Sequence, residues 1–109
     1  TPHLSPMFRG ILSTIYVEAN KGVSLDKLNN TLKKAFSKKQ FVKLKKMNSL
    51  ISTNDVINTN DCFISICKTK SKNKYVILSA IDNLIKGGSG QAVQNMNIKF
   101  NLPEGRGLQ

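Results

Sequence analysis

The stretch that decides the fold is Cys-Phe-Ile-Ser-Ile-Cys-Lys-Thr-Lys-Ser-Lys-Asn-Lys-Tyr-Val-Ile-Leu-Ser-Ala-Ile, residues 62–81. Its two ends, Cys62 to Lys68 and Tyr75 to Ile81, are rich in β-branched and aromatic residues, and a polar tip at 71–73 separates them. This pattern predicts a β-hairpin. Apolar side chains occupy both odd and even positions of the strands, which indicates a sheet that is covered on both faces.

A strand, a helix and a weaker strand precede this hairpin. Arg9 to Ala19 is rich in β-branched residues and predicts a strand. Ser24 is a typical helix N-cap. A short alternation from Phe41 to Leu44 predicts an edge strand, and residues 48–61 are mostly loop in composition. The apolar stripe of the predicted helix after Ser24 consists of Leu25, Leu28, Leu32, Ala35 and Phe36.

The hairpin is followed by a glycine-rich turn, Gly87 to Gly90, and a second predicted helix. Free backbone N–H groups at such a turn could bind an anion, although the spacing matches no nucleotide-binding fingerprint. The helix also carries several amides, and we expect some of them to bond to specific partners. These amides are Gln91, Gln94, Asn95 and Asn97. Its predicted buried face consists of Ala92, Val93, Met96 and Phe100.

The predicted order of strand, helix, weak strand, strand, strand, helix defines the fold class. It is α+β, a two-layer sandwich in which helices lie on one face of a mixed, mainly antiparallel sheet. A chain of 109 residues forms a single domain, 1–109. The sequence has no apolar run long enough to span a membrane. Because it begins with Thr1 and no initiator Met, we expect it to be part of a larger protein.

The formal charge of +11 first suggests a nucleic-acid binder. Arg9 and Arg106 are the only arginines, so 15 of the 17 cations are lysines. Proteins that read bases and phosphates favour Arg and interleaved aromatic residues, but here aromatics make up only 6% and Trp is absent. The composition therefore favours a solvated lysine surface, and a small lysine-rich nucleic-acid-binding module is the alternative.

Few side chains are suited to catalysis or metal binding. Cys62 and Cys67 lie at an odd spacing in a predicted strand, so their side chains point to opposite faces and a disulfide between them is not expected. They resemble small buried hydrophobes and indicate a reducing compartment. With His3 as the only histidine, the ligands are too few for zinc, and no metal site is expected.

Two segments at the ends of the chain resemble a known enzyme family. They are residues 1–18, which contain Thr-Pro-His-Leu-Ser-Pro-Met-Phe-Arg-Gly, and residues 82–97, which contain Asp-Asn-Leu-Ile-Lys-Gly-Gly-Ser-Gly-Gln-Ala-Val-Gln-Asn-Met-Asn. Both resemble the N-acetyl-gamma-glutamyl-phosphate reductases, and residues 82–94 are also similar to aspartate-semialdehyde dehydrogenases. The resemblance implies NADPH-dependent reduction of N-acetyl-glutamyl 5-phosphate to the 5-semialdehyde, with release of phosphate, in arginine biosynthesis.

The same resemblance implies an architecture. Such enzymes join an N-terminal NADP-binding domain of the Rossmann type to a second domain that resembles the C-terminal part of glyceraldehyde-3-phosphate dehydrogenase. This chain resembles most of that second domain, which carries the subunit contacts. The family's nucleophilic Cys and catalytic His belong to motifs expected upstream of Thr1, so no catalytic residue is expected in this chain and the isolated chain should be inactive.

The resemblance also implies roles for three residues. Asn83 matches the position that contacts the nicotinamide end of NADP, and His3 and Arg9 lie in the motif nearest the acyl-phosphate site. For Arg9, substrate contact and structural pairing are equally open. The resemblance further implies a homo-oligomer in the cytoplasm or an organelle matrix, without membrane or nucleic-acid partners. A fragment of an aspartate-semialdehyde dehydrogenase and a non-enzymatic dimerisation unit are further alternatives.

Overall fold

The computed structural model describes residues 2–3 and 6–108. These residues form a five-stranded sheet with the strand order β1-β2-β5-β4-β3. The strands are β1 (Pro2–His3), β2 (Ile11–Glu18), β3 (Val42–Leu44), β4 (Cys62–Lys68) and β5 (Lys74–Ile81). The helices are α1 (Leu25–Phe36), a 3₁₀ turn (Thr53–Asp55), a kinked helical turn (Ile85–Ser89) and α2 (Gly90–Lys99).

The predicted hairpin is the centre of the sheet. Strands β4 and β5 pair antiparallel, and β5 pairs antiparallel with β2, so that Ile66, Ile77 and Ile15 lie side by side. The edge strand predicted from Phe41 to Leu44 is confirmed as β3, which pairs parallel with β4. The fold class is also confirmed, because the sheet is mixed and mainly antiparallel.

Helix α1 begins and packs as its sequence predicts. The side chain of Ser24 accepts a hydrogen bond from the N–H of Lys27 at 3.2 Å, which caps the first turn. The apolar stripe of the helix covers one face of the sheet, where Leu28 and Leu32 line a cleft together with Ile66 and Ile77. The periodic spacing of the leucines therefore identifies the side of α1 that faces the sheet, although its leucines are only half-buried and Ala35 of the predicted stripe is exposed.

The segment 48–61 covers the opposite face of the sheet. Ile51 and Val56 from this segment pack against Ala80 of β5, and all three are buried. The partly buried side chains that complete this cluster are Leu12, Phe63 and Leu78. The prediction that both faces are covered is confirmed, with a helix on one face and a loop on the other.

The second helix buries a different side from the one that its sequence predicts, so that prediction is wrong. Met96 and Phe100 of the predicted face are 48% and 64% exposed, whereas Gln94 and Asn97 are buried. The reason is that the chain after α2 folds back beside the helix, and two of its carbonyl groups accept hydrogen bonds from Nδ2 of Asn97. The predicted glycine-rich turn overlaps the helical turn Ile85–Ser89, which has a kink with non-helical backbone angles at Gly88 and leads directly into α2.

The exposure of the lysines agrees with the sequence prediction, whereas the two thiols are half-buried and so less buried than predicted. The lysines of both clusters are exposed, and Cys62 and Cys67 are free thiols. Within residues 2–3 and 6–108, no helix is long and apolar enough to cross a membrane. The same residues contain no group of three or more potential metal ligands. The exposed lysines are Lys33, Lys34, Lys38, Lys39, Lys43, Lys45, Lys46, Lys68, Lys70, Lys72 and Lys74.

Candidate functional site

A buried carboxylate lies at the end of β5. Asp82 has no solvent exposure, and its Oδ1 accepts hydrogen bonds from the N–H groups of Leu84 at 2.8 Å and Ile85 at 3.1 Å. Its Oδ2 accepts from the N–H of Asn58 at 2.8 Å and from Nη2 of Arg9 at 2.8 Å. Four donors therefore satisfy one carboxylate and join three separate segments of the chain.

These contacts decide the charge of Asp82. Burial raises the pKa of its carboxyl. The hydrogen bonds from three backbone N–H groups and from Arg9 lower the pKa by more than burial raises it, so the pKa lies below the ordinary value of 3.8. Asp82 is therefore ionised at neutral pH. Because removing one partner of a buried pair leaves an uncompensated charge, Arg9 and Asp82 depend on each other.

Both terminal nitrogens of the Arg9 guanidinium form contacts within the domain. Nη2 binds Asp82, and Nη1 donates to Oδ1 of Asn58 at 2.8 Å. Nε is buried, and no acceptor for it occurs among the residues that the structure describes. The side chain as a whole is 31% exposed. Of the two roles left open for Arg9 by the sequence, the structural pairing is formed.

The residue after Arg9 binds the residue after Asp82. The N–H of Gly10 donates to Oδ1 of Asn83 at 2.7 Å. Gly10 has φ +101°, and a Cβ atom at this position would lie 2.6 Å from Cβ of Thr53. Only glycine fits this approach. The carboxamide oxygen of Asn83 is therefore engaged, whereas no residue that the structure describes accepts a hydrogen bond from its Nδ2.

The structure thus brings together two of the three residues that the sequence singles out. Arg9 and Asn83 belong to one hydrogen-bonded cluster that joins the start of β2 to the end of β5. The backbone of His3 pairs with Leu12 through strand β1. The side chain of His3 lies outside the described part of the structure, and so its predicted contact with substrate stays a prediction.

A second polar cluster holds α2 against the domain. Oε1 of Gln94 accepts from Nδ2 of Asn60 at 2.9 Å and from Nζ of Lys86 at 2.7 Å, while Nε2 of Gln94 donates to Glu104 at 2.7 Å. Burial lowers the pKa of the Lys86 ammonium, against the opposing effect of nearby Cys62, Glu104 and Asp61. The amides of α2 therefore have specific partners, as the sequence predicts.

Asn97 secures the segment after α2. Its side chain is buried, and Nδ2 donates to the carbonyl groups of Glu104 at 3.0 Å and Arg106 at 2.9 Å. Gly90, at the start of the same helix, lies in contact with Oδ1 of Asn60, where a larger residue would not fit. Both contacts fix the direction in which α2 leaves the sheet.

Three residues of the site were not predicted from the sequence: Asp82, Asn58 and Gly10. One signal was available for Asp82, because an acidic residue directly after an apolar strand and beside a singled-out amide requires a donor. Arg9 was one of only two arginines that could supply it. Asn58 offers no comparable signal, since asparagines are frequent in its loop.

The sheet, its covering helix and the polar cluster at the end of β5 define a two-layer α+β domain. Among known families, the model described as "Semialdehyde dehydrogenase, dimerisation domain" matches residues 1–83. The chain belongs to this family. The match ends before the kinked helical turn, so α2 and the segment after it lie outside the matched region.

Individual relatives match the whole chain. It is 47% identical over 109 residues to N-acetyl-gamma-glutamyl-phosphate reductase of Vesicomyosocius okutanii and 45% identical over 109 residues to that of Halothermothrix orenii. It is 44% identical over 108 residues to the probable chloroplastic N-acetyl-gamma-glutamyl-phosphate reductase of Arabidopsis thaliana. These alignments cover 100%, 100% and 99% of this chain but 31%, 31% and 27% of the relatives. The chain therefore spans less than a third of the length of these curated relatives.

Proposed function

We propose that this chain is the C-terminal part of an N-acetyl-gamma-glutamyl-phosphate reductase. The observation that carries the proposal is identity of 41–47% over essentially the entire chain to reductases of that name. The complete enzyme transfers hydride from NADPH to the acyl carbon of N-acetyl-glutamyl 5-phosphate. The bond between that carbon and the phosphate oxygen breaks, which gives the 5-semialdehyde, NADP⁺ and phosphate.

The remaining part of the enzyme supplies nucleotide binding and covalent catalysis. Because the chain spans about 31% of its relatives, we assign the other portion to an NADP-binding domain and to the nucleophilic Cys and catalytic His. The exposed apolar side chains of α2, Met96 and Phe100, are suited to contact that portion, since large apolar side chains on a helix gain stability when they leave water. The isolated chain is then inactive.

Asn83 is the cofactor contact within this chain. Its Oδ1 is held by the N–H of Gly10, so its Nδ2 is the atom that can reach a ligand. An amide N–H that donates to a carbonyl oxygen suits the carboxamide of a nicotinamide ring. The fit of the chain to the coenzyme therefore rests on a free donor at a fixed position. The acyl-phosphate contact proposed for His3 completes the assignment.

The proposal includes a homo-oligomer, because the matching family model is named for dimerisation. Sedimentation velocity of the full-length protein that contains this chain measures the subunit number directly. A single species at the monomer mass over a wide range of concentrations would contradict this part of the proposal. It would leave the proposed reaction to be judged on its own assay.

An activity assay of the full-length protein tests the reaction. We expect oxidation of NADPH, followed by its absorbance, when N-acetyl-glutamyl phosphate is supplied, and release of one phosphate for each hydride transferred. Aspartyl phosphate is the matched control, because its reduction would support the aspartate-semialdehyde dehydrogenase alternative. NADH in place of NADPH tests the coenzyme preference. Absence of turnover with both acyl phosphates would refute the proposal.

A further inference from the structure

Two consecutive residues bond two consecutive residues on another segment, which forms a clamp of Arg9 and Gly10 on Asp82 and Asn83. The side chain of Arg9 binds Asp82 at 2.8 Å, and the N–H of Gly10 binds Asn83 at 2.7 Å. On each side of the clamp the two residues are joined by one peptide bond, Arg9 to Gly10 and Asp82 to Asn83. A shift of Arg9 relative to Asp82 therefore moves the Gly10 N–H relative to the Asn83 carboxamide.

The clamp fixes which atom of the Asn83 carboxamide is free. An asparagine side chain can rotate so that oxygen and nitrogen exchange places. Here the oxygen accepts from Gly10, so the exchanged orientation would set two N–H groups against each other. The clamp thus selects a donor, Nδ2, as the group that faces a ligand.

The guanidinium of Arg9 is poorly placed to bind a phosphate at the same time. Arginine binds phosphate best through two parallel N–H bonds from one edge of the fork. One edge carries Nη1 and Nη2, which bind Asn58 and Asp82, and the other carries Nη2 and the buried Nε. Nη1 and Nη2 each keep a second N–H group, but the Nε edge is buried and both terminal nitrogens are already held by Asn58 and Asp82, so a phosphate would have to share the guanidinium with two existing partners.

We propose that Arg9, acting through Asp82 and Gly10, is a positioning residue that holds Nδ2 of Asn83 toward the nicotinamide carboxamide, and that it does not bind the acyl phosphate. This inference rests on the proposed function and assigns a role to the ion pair. Loss of Arg9 then weakens coenzyme binding through Asn83 and leaves acyl-phosphate recognition unchanged.

A double-mutant cycle in the full-length reductase tests this role. The variants are Arg9→Met, Asn83→Ala and the combination, with Arg106→Met as the matched control because Arg106 is the other arginine and is exposed. The dissociation constant of NADPH is measured by its fluorescence, and KM is measured for the acyl phosphate. Arg9→Lys is the second variant, since it keeps the cation and cannot bind both Asp82 and Asn58 through a fork.

We expect Asn83→Ala to weaken NADPH binding about two- to twelvefold, the effect of one hydrogen bond. Arg9→Met should weaken it by no more than that, and the combined variant should equal Asn83→Ala, because the effect of Arg9 passes through Asn83. KM for the acyl phosphate and the Arg106→Met variant should not change. If Arg9→Met does not fold, Arg9→Lys with and without Asn83→Ala gives the same comparison.

Three results would overturn the inference. They are a higher KM for the acyl phosphate in Arg9→Met with unchanged NADPH binding, effects of the two substitutions that multiply in the combined variant, and unchanged NADPH binding in Asn83→Ala. Failure of the wild-type protein to bind any nicotinamide coenzyme is a different result. It would refute the proposed function and the inference with it.

Discussion

The approach of Gly10 to Thr53 predicts a large cost for a single methyl group. Gly10 has φ +101°, and an added Cβ would lie 2.6 Å from Cβ and 2.9 Å from Cγ2 of Thr53. Thr53 is buried and belongs to the 3₁₀ turn, so it cannot move away without disturbing the segment that covers the sheet. Gly10→Ala is therefore expected to destabilise the domain by two separate effects.

The two effects can be estimated one at a time. A non-glycine residue at positive φ costs about 1–2 kcal/mol, and overpacking of a buried contact costs about 1–3 kcal/mol. The sum for Gly10→Ala is about 2–5 kcal/mol of unfolding free energy. Gly22 has φ +85° with no atom within 4 Å of an added Cβ, so Gly22→Ala should show only the first effect.

Hydrogen exchange measures this difference within the full-length protein. Peptides from β2 and β5 report the free energy of opening of this domain, because the two strands pair along their whole length. We expect Gly10→Ala to accelerate exchange in these peptides well beyond Gly22→Ala. Equal exchange rates in the two variants would refute the close approach of Gly10 and Thr53, and with it the geometry that places the Gly10 N–H on Asn83.

Three further predictions concern buried polar groups and helix α2. Asn97→Asp should destabilise the protein by about 1–3 kcal/mol, because two carbonyl groups lose their donor. Asn95→Asp, on the exposed side, should change the stability little, and urea denaturation compares the two variants. The free energy of unfolding should fall as the pH drops through the lowered pKa of Asp82. The ionised carboxylate stabilises the fold above pH 3.8, and this stability is lost when the carboxylate is protonated. Asp82→Asn should flatten this dependence, and unchanged acid denaturation in that variant would contradict it. Phe100→Ser should lower the melting temperature of the full-length protein through loss of about 1.5–3 kcal/mol of apolar burial. If the effect is no larger than that of the exposed Lys99→Ser, Phe100 is exposed to solvent in the full-length protein as well.

The sheet and α1 could be predicted because local pattern and tertiary packing agree in them. The hairpin at 62–81 combines strand-forming residues with a polar tip, and Ser24 is followed by leucines at helical spacing. Each of these signals depends only on residues that are close in sequence. The parallel pairing of Val42–Leu44 with β4 has no such local signal, and only its edge position could be inferred from the lysines.

The polar cluster around Asp82 could be predicted only in part. The family resemblance identified Arg9 and Asn83, but the contacts between their segments join residues more than 70 positions apart. A sequence pattern does not specify such a pairing, because the donor of a buried carboxylate can come from any segment that the fold brings near. Gly10 shows the same limit, since its need for glycine comes from Thr53 and not from its neighbours in sequence.

Helix α2 shows why periodicity alone gave the wrong buried face. Spacing identifies residues that share a side of a helix, and Met96 and Phe100 do share one, but it does not say which surface that side contacts. Within this domain, α2 is held through Gln94 and Asn97, because the neighbouring groups are polar: carbonyl and carboxylate oxygens that accept, and the Asn60 amide and Lys86 ammonium that donate. An apolar side kept in water while amides are buried is unfavourable for an isolated domain. The sequence of α2 therefore has amides on the side that contacts this domain and apolar residues on the exposed side, which is the pattern that the proposed contact with the remaining portion of the enzyme requires.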